Sequence, residues 1–327
     1  MSHALGIDLG GTKVLAGVIH TETGKVLSKV KKRTHAEHSP EDLVERMLSA
    51  ARQAIAESGV SASKIHTAGI GVAGQIDREQ GIVIAAPNLA NMANVKLAQR
   101  IREQLDLPVH LFNDVEAAAA GEAAFGAGKG KRDFLVVFVG TGIGGMIYRD
   151  GRPYKGATET AGEIGHTVVD VHGRLCACGG IGHVEAYASR TAIVRVILSG
   201  MHAGRESILS EVALEINPND PGGSGIRSGA IADAVSKHDA LVRETLRTAS
   251  DYLAASLASA FNFYNPPTII LGGGLVEAVD WFFELVRKRA INATLAAPRK
   301  HVEIIKTGLG DYSGIVGAAV LASGQAG

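Results

Sequence analysis

ALGIDLGGTKVLAGVIH, residues 4–20, carries an apolar run into Asp8, crosses Gly10-Gly11-Thr12 and leaves in a second apolar run. It reads as a buried strand, a tight turn and a second strand. KVLSKVKKRT (25–34) continues the meander, with Glu22-Thr23-Gly24 as the next hairpin turn. The same grammar returns near the middle of the chain. DFLVVFVG (133–140) is a strand closed by turn glycines, and GMIYRDG (145–151) is the strand that follows. A hairpin with a glycine-rich turn thus opens each half.

Helices alternate with strands after each hairpin. Ser39-Pro40-Glu41 opens a helix to about Ser58, with proline in the first turn and acids beside it. IHTAGIGVAG (65–74) is a strand, 94–105 a helix, and Leu107–Phe112 a strand before a helix from Val115. In the second half a long amphipathic helix spans 238–265, PPTIILGGG (266–274) is a strand ending in glycines, and 276–291 is a helix. The last helix, from about Gly314, is expected to pack back on the first half. Residues 201–230 have the composition of a flexible surface connection. The pattern predicts two α/β halves, each a mixed sheet covered by helices.

With 327 residues and 46% hydrophobic content the chain can build two cores. Thirty-three basic side chains balance thirty-three acidic ones, so no basic stripe points to nucleic acid. No apolar stretch approaches the ~20 residues of a membrane span. The amino-terminal apolar run is short and broken by Asp8, unlike a signal peptide. The two cysteines, Cys176 and Cys178, sit too close for a structural disulfide and fit a reducing cytoplasm.

The glycine turns carry the first chemical signal. Glycines at 10 and 11 let backbone N–H groups face a phosphate, Thr12 adds a hydroxyl and Lys13 a charge. Asp8 offers Mg²⁺ a hard oxygen ligand through water. One such turn reads equally well as a plain hairpin. A second with the same grammar, Gly140-Thr141-Gly142, makes a pair suited to the two ends of a polyphosphate. Neither matches GxxxxGK[ST], and a strand rather than a helix follows each, which excludes the Walker loop and the dinucleotide fingerprint.

The chain resembles the ROK family of sugar kinases, within the actin/hexokinase/Hsp70 superfamily. The resemblance rests on DLGGTK at 8–13, GVAG at 71–74, PNL at 87–89, ND at 113–114, GTGIGG at 140–145, GEIGH at 162–166, CACGGIGHVE at 176–185 and LGGG at 271–274. These stand in family order across almost the whole chain. The resemblance implies an α/β, two-domain actin-like ATPase (ribonuclease H-like) fold with a cleft between the domains. Residues 1–117 plus 312–327 would form the small domain, and 118–311 the large domain with a zinc loop and oligomerisation helices. It implies transfer of the γ-phosphate of Mg-ATP to the 6-hydroxyl of a hexose, glucose first. Mannose, fructose and N-acetylated hexosamines (GlcNAc, ManNAc) are alternative acceptors, polyphosphate an alternative donor, and a sugar-sensing regulator an alternative role. Regulators of the family place a winged helix-turn-helix before the kinase-like region, whereas the first strand here begins near residue 4. A homodimer or homotetramer in the cytoplasm, binding sugar and ATP but neither nucleic acid nor membrane, is the expected setting.

The resemblance also assigns roles. Asp114 resembles the base that takes the proton of the sugar hydroxyl, although an acid before an alanine-rich helix is equally a preferred N-cap. Asn88, Asn113, Glu163, His166 and Glu185, with Asp114, stand where the family holds the sugar. Gly273 and Gly274 stand where it holds adenosine, beside Asp8, Gly10, Gly11, Thr12, Lys13, Gly140, Thr141 and Gly142 for phosphates and Mg²⁺. His166, Cys176, Cys178 and His183 offer four ligands for a structural Zn²⁺. The family normally shows a third cysteine where this chain has His183, and His172 is a rival for the fourth place. Asn91-Met92-Ala93-Asn94 also departs from the usual glucokinase text, which carries a tryptophan there.

Overall fold

A computed structural model describes residues 2–34, 39–86, 89–214 and 225–324. The chain opens with β1 (His3–Leu9), β2 (Lys13–His20), β3 (Lys25–Arg33), α1 (Pro40–Glu57), β4 (Ile65–Val72), β5 (Gln75–Asp77), β6 (Ile82–Ala85), α2 (Leu97–Leu105), β7 (Val109–Asn113) and α3 (Asp114–Phe125). There follow β8 (Phe134–Val139), β9 (Ile143–Arg149), β10 (Arg152–Tyr154), α4 (Glu185–Ala188), α5 (Arg190–His202), α6 (Ser210–Leu214), α7 (Ser228–Ser236) and α8 (Ala240–Phe263). The chain closes with β11 (Thr268–Gly272), α9 (Gly274–Ala278), α10 (Asp280–Ala293), α11 (Ala296–Arg299), β12 (Glu303–Lys306) and α12 (Ser313–Ala322).

These elements form two compact units, Met1–Lys131 with Thr307–Gly327, and Arg132–Lys306. The first holds a five-stranded sheet in the order β3-β2-β1-β4-β7. Its hairpin strands pair antiparallel, while β1, β4 and β7 run parallel. The second holds a five-stranded sheet in the order β10-β9-β8-β11-β12, again antiparallel in the hairpin and parallel beyond it. The repeat expected from the two glycine turns is therefore a repeat of sheet topology. A boundary at 117/118 would cut through α3, which is one continuous helix inside the first unit.

Local chemistry explains most element ends. Ser39 caps α1 by accepting from Asp42 N, with Pro40 in the first turn. Asp239 caps α8 by accepting from Val242 N. Where the sequence suggested one helix over 276–291, the backbone breaks at Val279 between α9 and α10. After Glu185, α4 ends at Ser189, whose hydroxyl caps α5 at Ala192 N. In 201–230, helices occupy Ser210–Leu214 and Ser228–Ser236, while 215–224 lies outside the described residues. No helix among the described residues is long and apolar enough to cross a membrane.

Helix α12 packs on the first unit's sheet and against α3, as its apolar sequence predicts. The approach is backbone to backbone. A Cβ at Gly6 of β1 would fall on Ile315 O, one at Gly69 of β4 on Ala318 O, and one at Gly317 on Ala117 O of α3. Every one of these obstacles is main chain, which cannot rotate away. Gly317→Ala should therefore cost the unit at least about 1–3 kcal/mol, read as a lower urea midpoint. An unchanged midpoint would show that the helices can part without cost.

Candidate active site

In the first unit, strand register brings the predicted residues to one sheet edge. Asp8 pairs with Gly71, and Val72 with Asn113, so β1, β4 and β7 deliver Asp8, Gly71 and Asn113-Asp114 at their carboxyl ends. That edge is where parallel α/β sheets bind ligands. Asn113 is the cap of α3: its Oδ1 accepts from Val115 N at 3.0 Å and Glu116 N at 3.2 Å. Its Nδ2 donates to Gly74 O at 3.3 Å, which leaves one amide hydrogen for another acceptor. Asp114 is thereby released from capping. It is half-buried as the first helical residue, where the helix N-terminus favours negative charge. Asn88 lies outside the described residues.

The turn between β1 and β2 is closed by Gly10 N donating to Lys13 O at 3.0 Å and held by Thr34 Oγ1 donating to Gly10 O at 2.6 Å. Thr12 at its tip is exposed. Lys13 is already in an ion pair: its Nζ donates to Asp311 Oδ1 at 2.9 Å, and Lys31 approaches the other oxygen at 3.4 Å. Asp311 was not marked in the sequence, since 298 residues separate it from Lys13. Burial alone would raise the Asp311 carboxyl, but hydrogen bonds and charge from Lys13 and Lys31 hold it below the usual range.

Asp8 goes the other way. Surrounding protein pushes its carboxyl from 3.8 to about 6, with Asp114 and Asp311 adding repulsion and Lys13 opposing. A carboxyl raised in the fold adds stability below its unfolded value and loses it as pH rises through the folded value. Ionised Asp8 is thus a cost to the fold above about pH 6. Asp8→Asn should raise stability at pH 8 by up to about 3 kcal/mol, with no gain at pH 4. Calorimetric melting at both pH values checks this, and an equal gain at each would refute the burial argument.

The second unit presents its own turn. Gly140 N donates to Gly142 O at 2.9 Å, and a Cβ at Gly140 would meet open space. Beyond it, Ile143 N donates to Glu185 Oε2 at 2.7 Å, and a Cβ at Gly142 would strike the same carboxylate. Glu185, at the start of α4, therefore braces this turn. GEIGH packs on β9 through its glycines: Gly162, at φ +102°, lies against Gly145 O, and Gly165 lies against Ile143 O. That packing fixes Glu163, which is exposed, and His166, whose Nε2 lies 3.8 Å from Glu163 Oε2. Gly273, at φ +96°, sits against the Val139 backbone, which close packing by itself explains.

Residues 166–185 fold back on themselves. Val168 bridges to His183 and Leu175 to Ile181, and Cys176 N donates to Gly180 O at 2.8 Å. The ligand atoms of His166, Cys176, Cys178 and His183 come within 4.8 Å of one another. His166 Nδ1 is 3.3 Å from His183 Nδ1 and 3.9 Å from Cys176 Sγ, and Cys178 Sγ is 3.2 Å from His183 Nδ1. A tetrahedral zinc spaces such atoms about 3.3–3.8 Å apart, so the donor set fits one ion. His172 is not in the group. Burial raises the Cys176 thiol to about 11, so without a cation it keeps its proton.

The ROK family pattern matches residues 4–325. The chain is 33% identical over 320 residues to the glucokinase of Thermotoga maritima, covering 96% of this chain and 95% of that one. It is 33% identical over 323 residues to the glucokinase of Streptomyces coelicolor, covering 98% of both. A crystal structure of a ROK family glucokinase from Streptomyces griseus, in complex with glucose and AMPPNP, superposes with a TM-score of 0.82 at 32% identity, over 98% of this chain and 99% of that one.

Proposed function

The chain belongs to the ROK family, with the two-domain actin-like fold of its sugar kinases, and we propose that it is an ATP-dependent glucose kinase. It is a phosphotransferase acting on a sugar hydroxyl. The observation that carries the assignment to this chain's own residues is the split between Asn113 and Asp114: Asn113 makes the capping contacts of α3, and Asp114 is its first helical residue at the end of β7. In the proposed reaction Asp114 receives the proton of the glucose 6-hydroxyl as its oxygen attacks the γ-phosphorus of ATP. The bond from that phosphorus to the bridging oxygen breaks, and ADP leaves. Phosphoryl transfer asks the protein chiefly for positioning and charge stabilisation.

The remaining roles are part of the same reading. Glu163, His166 and Glu185, with the free amide hydrogen of Asn113, hold sugar hydroxyls. Such polar partners left unpaired by a wrong sugar are costly, which gives selectivity. With the N–H groups of Gly10 and Gly140 closing their own turns, Gly11, Thr12, Thr141 and Gly142 offer backbone and hydroxyl donors to phosphates. Mg²⁺, held through Asp8, would neutralise developing phosphate charge. His166, Cys176, Cys178 and His183 hold a structural Zn²⁺. His166 offers Nδ1 to the ion, which fixes its tautomer and turns Nε2 toward the sugar side at Glu163. A cytoplasmic setting keeps both thiols reduced. Phe263 is 95% exposed and Leu295 64% exposed, joined to one surface by Leu295 N donating to Asn262 Oδ1 at 3.0 Å. That patch supports a homo-oligomer.

The test is ADP release with glucose, mannose, fructose, GlcNAc and ManNAc in turn. Glucose should give the highest kcat/KM. A preference for another sugar would move the substrate, and no turnover on any would overturn the kinase reading.

A further inference from the structure

Arg190 is a charged side chain only 8% exposed, the first residue of α5. Its backbone N donates to Gly140 O at 2.8 Å, which ties the start of the helix to the second glycine turn. Its guanidinium then reaches around the same turn: Nη2 donates to Thr141 Oγ1 at 3.3 Å, and Nη1 donates to Ile226 O at 3.3 Å. One residue thus holds two consecutive positions of the turn, Gly140 by main chain and Thr141 by side chain. Glu185 holds its far end through Ile143 N at 2.7 Å.

The chemistry of the Thr141 contact has a direction. Arginine has donors and no acceptor, so the hydroxyl oxygen accepts from it. That leaves the hydroxyl hydrogen free to be donated elsewhere, and the adjacent fixed cation polarises it toward an acceptor of negative charge. A buried guanidinium, always protonated, is also a standing positive charge beside a turn whose Gly140 opens on free space. Neither effect recognises a sugar or a base. Both recognise an anion.

We propose that Arg190 is a positioning residue for the donor's phosphates, acting through Thr141 by aligning its hydroxyl as a donor and charging the Gly140–Gly142 turn. This rests on the kinase reading and adds to it the means by which the second turn distinguishes a polyphosphate tail from an uncharged ligand.

The experiment is calorimetric binding of Mg-ATP, ADP, adenosine and glucose to purified Arg190→Met, Arg190→Lys and Thr141→Val proteins, with steady-state kinetics on each. Arg190→Met should weaken Mg-ATP binding by about tenfold or more, while adenosine and glucose affinities stay within about twofold. Arg190→Lys should recover part of the loss, since it restores charge without the planar fork. Where Arg190→Met fails to fold, Arg190→Lys, Thr141→Val and their double variant decide the matter. The double variant should then lose little beyond Thr141→Val, because both changes act at one hydroxyl. Unchanged Mg-ATP affinity, an equal loss for adenosine and glucose, or strictly additive losses would overturn the proposal. Absence of sugar phosphorylation by the wild-type protein would instead overturn the kinase reading, which separates the two failures.

Discussion

An Asp114→Asn enzyme is expected to fold normally, bind glucose and ATP, and turn over at least about 100-fold more slowly. The substitution is isosteric and sits outside the capping contacts, since α3 is capped by Asn113 at 3.0 and 3.2 Å. Helix stability therefore gives no reason for a loss. Chemistry does, because an amide cannot accept the proton that the 6-hydroxyl must shed. The effect belongs in kcat rather than in the glucose KM. Equal melting temperatures with a collapsed kcat are the result to look for. A variant that retained wild-type turnover would reduce Asp114 to a favourable charge at a helix end, a contribution of only about 0.3–1 kcal/mol to stability.

Cys176→Ser should purify with no bound zinc and show at least a tenfold higher glucose KM, roughly 1.4 kcal/mol of lost binding. Cys176 is 3% exposed and points into a set of donors within 4.8 Å of one another. Burial holds its thiol near 11, so binding of the ion must expel that proton, and acid should release the metal. The sugar effect follows from His166, whose Nδ1 faces the cluster while its Nε2 faces Glu163 at 3.8 Å. Without the ion, the bond at Nδ1 that would hold hydrogen on Nε2 is lost. Elemental analysis and glucose kinetics on one preparation check both halves. Fully active wild-type protein devoid of zinc would remove the argument.

The hairpins, the long helices and the glycine turns were legible in the sequence because each has a local cause. Ser39-Pro40 starts a helix and Gly24, at φ +71°, turns a hairpin, whatever the rest of the chain does. Elements whose cause is distant were not legible. β12, four residues long, is a strand because β11 lies beside it, and the short β5 and β6 are strands because they pair with each other. The breaks at Val279 and Ser189 interrupt runs that remain helical in composition. The site shows the same division. Asn113 and Asp114 are both capping residue types, so only backbone geometry assigns the cap. Lys13 read as a phosphate ligand, yet its ion pair with Asp311 spans 298 residues of sequence. The four-ligand group was visible as residue types in one short stretch, while the bracing of the second turn by Glu185 was not.

The seam of Gly6, Gly69 and Gly317 has a consequence for vectorial synthesis on the ribosome. Residues 132–306 emerge as one uninterrupted stretch and can complete their own core at once. The earlier-made sheet must wait for residues 313–322, with its glycine-lined face bare until the last helix leaves the tunnel. The half born first is thus the half finished last, and a chaperone that shields unpaired apolar surface has its longest task there.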